Sequence, residues 1–184
     1  LWGVKAHVAA LGAIQDVYRN PIVEPVLIIS VVSQIYVGAR LLARRWKETG
    51  KGLWSWIQLV SGIYLAVFLT AHFSAALAAR HLAGVDTNFY WPAGTLVLSP
   101  LKYGFAPYYT LGVTAVFAHL GAALYFAAPK VGRFAAPILA GFGVVFGASL
   151  VWVFGGGLYD IQLSPEHQRY FQAFYPTEPA QADR

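Results

Sequence analysis

Three histidines and one glutamate are the residues of this chain whose types and places suit chemistry. His72 lies within Leu53 to Ala79, a stretch with no Asp, Glu, Lys or Arg. An imidazole set among Phe68, Leu69 and Phe73 needs a partner, because an unpaired polar group costs several kcal/mol in lipid. Imidazole nitrogens ligate metals, haem iron included, so His72 is a candidate axial ligand. By helical rise it stands roughly 28 Å from the start of its helix, and His119 about 18 Å from Pro107. In alternating helices their depths differ by roughly 16 Å, too far for two ring nitrogens on one iron. His7 matches better, since a helix over Leu1 to Val17 brings it roughly level with His72 once tilt is allowed. An iron shared by His7 and His72 is one reading; hydrogen bonds to neighbouring helices are the other. Glu24, between Pro21 and Pro25, is the carboxylate closest to a span. It is a candidate for proton transfer, with an ion pair to Arg19 as the alternative. His81 reads as a solvated border residue, and His167 has no ligand spacing around it.

These side chains need a frame, and the composition supplies one. The chain has 184 residues, 58% hydrophobic and 11% charged, which excludes an ordinary soluble domain and predicts an all-α integral membrane protein. Four complete transmembrane helices are expected at 22–45, 53–80, 107–128 and 134–156, forming one bundle. A helix over 1–19 precedes them, either interfacial and amphipathic or the outer part of a truncated fifth span. Met is absent, so residues upstream of Leu1 are expected. The aromatic loop from Leu82 to Ala106 is expected at the headgroup level, and the 158–184 tail on the surface or against a partner.

Function classes narrow accordingly. Without cysteine there is no disulfide, iron–sulfur cluster or thiol catalysis. The net charge of +5 collects at helix borders, which points to a lipid bilayer and away from nucleic acid. Basic residues crowd 40–51 and 129–133, so those turns are expected in the cytoplasm and the tail outside, as in a bacterial inner membrane. Gly141, Gly143 and Gly147 lie in an apolar helix with no strand before them, so they are not a dinucleotide fingerprint, and Gly143 with Gly147 reads as a helix-packing face. A small transporter is disfavoured by the lack of paired intramembrane charges and repeated broken helices.

Trp54-Ser-Trp-Ile-Gln-Leu-Val-Ser-Gly62, running on into Ala71-His72, resembles the haem-ligand helix of the cytochrome b anchors of fumarate reductases and succinate dehydrogenases. The single-chain, five-helix, dihaem type is the most similar. Pro107-Tyr-Tyr through Ala118-His119-Leu-Gly121 and Leu124-Tyr125 resembles that family's next histidine helix, and Pro21-Ile-Val with its span resembles the second helix. The resemblance implies that His72 ligates the haem nearer the external face, with His7 as partner, and that His119 ligates the inner haem. The fourth ligand position falls at Gln34 or Gly38, where no histidine stands. At most one complete bis-histidine haem b is therefore implied, held by His7 and His72. The implied function is a haem b-binding anchor that passes electrons between a membrane quinone and other subunits of a complex. Such a chain is a non-catalytic or quinone-site subunit, with Glu24 helping to move protons. The alternative is a haem-free structural or assembly subunit that retains the bundle.

Overall fold

The computed structural model describes residues 3–46 and 52–174. Leu1, Lys47, Glu48 and Lys51 of the basic run, and the tail from Tyr175, lie outside the described residues. The described residues form helices α1 (Val4–Tyr18), α2 (Val23–Arg45), α3 (Leu53–His81), α4 (Tyr90–Val97), α5 (Leu101–Ala127), α6 (Pro129–Phe154) and α7 (Pro165–Phe174). Four of them, α2, α3, α5 and α6, are long and apolar enough to cross a membrane. The chain is an all-α integral membrane protein.

Two spans begin earlier than the sequence suggests. α5 starts at Leu101 and carries Pro107 inside it, where sequence reasoning starts the helix at 107. α6 starts at Pro129 and carries Pro137 inside it, five residues before the expected 134. Proline lacks one backbone donor, a defect that membrane helices tolerate when neighbouring helices pack across it. Here α5 and α6 form an antiparallel hairpin turning at Ala128, the cap shared by both helices. Glycines let the two backbones close. A Cβ at Gly121 would stand 2.9 Å from the Ala136 oxygen, one at Gly147 2.8 Å from the Thr110 oxygen, and one at Gly143 2.7 Å from the Phe117 Cβ.

α3 lies along α5. Trp54 stacks on Tyr125 at 5.5 Å, and the Tyr64 hydroxyl donates to the Tyr108 carbonyl at 3.0 Å. α2 touches the bundle more lightly and has no buried residue among those whose side chains are described. Its half-buried side carries Glu24, Ile28, Val31 and Ile35, and Glu24 is clamped by both terminal nitrogens of Arg80 at the end of α3. The sequence alternative of an Arg19 partner is not what forms. Arg19 instead binds the Asp86 carboxylate at 2.7 Å and the Thr87 hydroxyl at 2.8 Å.

The largest buried cluster sits at the end of the bundle opposite the basic turns. Gly84 takes a positive φ of 65°, which lets the chain leave α3 while the Val85 N–H returns to the Ala79 carbonyl at 2.9 Å. Phe89 then enters the core fully buried, followed by Trp91 and Ala93. The loop 82–106 contains α4 and contributes Val85, Phe89, Trp91, Ala93 and Leu101 to this buried cluster.

The tail returns as well. α7 brings Phe171 into this cluster and buries His167. The His167 Nε2–H donates to the Asp86 carbonyl at 2.8 Å, which leaves Nδ1 to accept from the Ser164 hydroxyl at 2.7 Å. Replacing His167 with Ala strands the Asp86 carbonyl in the core. We expect a loss of about 2 kcal/mol, read as a lower melting temperature together with faster proteolysis around 164–174. An unchanged cleavage rate would show that α7 is held by something else.

Candidate functional site

His72 projects from α3 into a cavity of about 610 Å³ bounded by α3, α4, α5 and α7. Pockets of this size hold drug-sized ligands and cofactors. A chain of contacts orients the ring. Gly112 of α5 has no side chain, so the Phe68 ring lies across it; a Cβ there would come within 2.7 Å of the Phe68 Cζ. The Tyr108 hydroxyl donates to the Phe68 carbonyl at 3.2 Å. Phe68 in turn stacks on His72 at 5.4 Å, the planes 5° apart. Trp91 and Tyr109 meet the imidazole edge-on at 5.8 and 6.0 Å. Neither ring nitrogen of His72 has a hydrogen-bond partner among the described residues, and the ring lines the cavity.

The rest of the lining is apolar and aromatic, with a few polar tips. Thr95 donates to the Pro92 carbonyl at 2.7 Å and reaches the Tyr109 hydroxyl at 3.4 Å. Phe171 closes the side toward α7; it rests against Gly94, where a Cβ would lie 2.7 Å from the ring Cζ. Sequence reasoning missed Trp91, Thr95, Tyr109 and Phe171 as site residues.

The other candidates stand elsewhere. His7 on α1 packs against Phe89 at 5.7 Å and Phe154 at 6.2 Å, and its Nδ1 meets the Tyr159 hydroxyl. Burial pushes the Tyr159 phenol above its ordinary pKa, so the hydroxyl keeps its proton. His7 and His72 share no stacking partner, and His7 does not line the His72 cavity. His119 lies over Gly62, with Nδ1 3.1 Å from the Ser61 hydroxyl. Glu24 is held in its ion pair with Arg80, and His81 is exposed.

The cavity lining holds one imidazole that could ligate a haem iron. His72 presents an unengaged imidazole to the cavity, and no second histidine among the described residues lines it. A metal ion held by protein groups alone is a poorer match, since no cluster of three or more His, Cys, Asp or Glu occurs among the described residues. His7 and His119 are each engaged at Nδ1 by a hydroxyl, that of Tyr159 and that of Ser61 respectively. No family model, no curated protein and no solved structure matches the chain, so what this membrane bundle holds is read from the His72 cavity itself.

Proposed function

We propose that the chain is a haem b-binding membrane anchor subunit of a quinone-linked oxidoreductase, with His72 as the axial ligand. The observation that carries this reading is the imidazole itself, unbonded within an apolar membrane helix and facing a cavity large enough for a flat cofactor. A haem bound there supplies one-electron transfer between a membrane quinone and a partner subunit. The chain contributes position and dielectric. Phe68 fixes the plane of His72, Trp91 and Tyr109 keep water from its edges, and the Thr95 and Tyr109 hydroxyls offer hydrogen bonds to polar edges. By the positive-inside rule, the end carrying Arg40, Arg44, Lys130 and Arg133 faces the cytoplasm of a bacterial inner membrane, and the end carrying α7 faces outward.

The test is a reduced-minus-oxidised spectrum of the purified full chain, produced with haem in supply. The expected result is a b-type spectrum that His72→Ala abolishes and His119→Ala leaves in place. A colourless wild-type chain would overturn the reading. A haem-free structural subunit is the second reading. It is favoured by the engagement of His7 with Tyr159 and of His119 with Ser61, which leaves one imidazole at the cavity. Companion subunits that co-purify without a haem band would select it.

A further inference from the structure

A second feature of the bundle does not depend on what fills the His72 cavity. α2 carries Gln34 eleven residues after Val23 and ten before Arg44, the ends of its membrane span. That places the amide about 16 Å from either end by helical rise, at the centre of the hydrocarbon layer. The Gln34 side chain is exposed and has no hydrogen bond to any described residue. An amide left so in lipid costs several kcal/mol, so its place on the outer surface calls for an occupant.

The surroundings of Gln34 give that occupant a shape. Leu27, Ser30, Gln34, Val37 and Leu41 follow the alternating three- and four-residue steps of a coiled-coil seam, with the polar residue at its middle. The three aliphatic members are 41%, 52% and 51% exposed, respectively. This stripe stands about a third of a turn from the Glu24, Ile28, Val31 and Ile35 side that faces α3, so the bundle leaves it uncovered. Arg40 bonds Tyr36 at 3.3 Å on the far flank, which keeps that charge off the seam.

We propose that the seam is the interface with a second copy of this chain, closed by reciprocal hydrogen bonds between the two Gln34 amides. Copies inserted by one route share an orientation, so their α2 helices meet in parallel about an axis along the membrane normal. A residue beside that axis meets itself at its own depth. An amide is suited to this, because it donates and accepts at once, whereas two carboxylates or two ammonium groups would repel. Polar side chains are known to join membrane helices in this way, and a single polar seam residue also fixes their register.

Because the chain has no cysteine, single cysteines can be placed without background. The experiment oxidises Val37→Cys and Leu41→Cys chains in membranes, with Ile29→Cys and Tyr36→Cys on other faces as controls. Cross-linked dimer at 37 and 41 and monomer at 29 and 36 is the expected pattern. Energy transfer between labelled full chains in phosphatidylcholine vesicles then measures association. Gln34→Leu should weaken it about tenfold and Gln34→Asn should restore most of it. Both variants keep an apolar span, and circular dichroism confirms the helix content. Equal cross-linking on all faces, monomers at every dilution, or a Gln34→Leu chain that associates as wild type would each overturn the proposal. A different protein bound at the seam in place of a second copy would overturn it too.

Discussion

Gly132→Ala is expected to destabilise the bundle by about 3 kcal/mol, the upper end of the usual cost of overpacking. Gly132 lies in the first turns of α6, where the chain has just reversed at Ala128 and the two helices are closest. A Cβ at this site would stand 2.6 Å from the Leu124 carbonyl oxygen and equally close to the Tyr125 nitrogen. Both are backbone atoms. No rotamer change relieves the overlap, so α5 and α6 must separate or the turn must open. Gly141 on the same helix has open space at its Cβ, and there alanine should gain up to about 1 kcal/mol from helix propensity. Unfolding in mixed detergent micelles, followed by circular dichroism, reads both. If the two variants shift the midpoint in the same direction, close backbone contact is not what holds the hairpin.

The contrast between these glycines shows what a sequence can and cannot carry. Hydropathy alone marks four spans, because about 20 apolar residues in a row have few other uses. The Gly143 and Gly147 spacing reads correctly as a packing face. It does not say which helix receives that face, since every apolar neighbour is chemically alike. Pro107 misleads for a related reason. It looks like a helix start in a rule drawn from water, whereas in a packed membrane bundle it sits inside a longer helix. In the stretch 82–106 what goes unseen is α4. Phe89, Tyr90 and Trp91 have the composition of a headgroup belt, and composition hides the local signal. Asn88 accepts the Tyr90 N–H at 2.9 Å and Pro92 stands in the first turn, which together mark a helix start. The candidate site is legible in the same proportion. A histidine in an apolar span stands out, so His72 is found. Its aromatic walls come from α4, α5 and α7, brought together by a fold that no single segment encodes. His167 is invisible in advance for the same reason, because its carbonyl partner lies on a loop far away in the chain.

The ion pair between Glu24 and Arg80 should have an effect as large as the hairpin glycine, and its pattern differs. The two side chains are about one-fifth exposed, 20% and 19% respectively, at the border where α2 meets the end of α3. Removing one partner leaves the other charge in a poorly solvated place, which costs about 3 kcal/mol at such sites. Glu24→Gln and Arg80→Leu are therefore each expected to lower stability by about that amount and to loosen α2 from the bundle. The double variant should recover most of the loss, because neither charge is then stranded; the net worth of a partly buried pair is small. A double-mutant cycle on unfolding midpoints, with cross-linking between cysteines at 28 and on the facing side of α3, measures both quantities. Additive losses in the double variant would mean that the two residues act through separate partners. Recovery of stability without recovery of the α2–α3 cross-link would assign the pair a geometric role, placing α2 so that its outer seam faces away from the bundle.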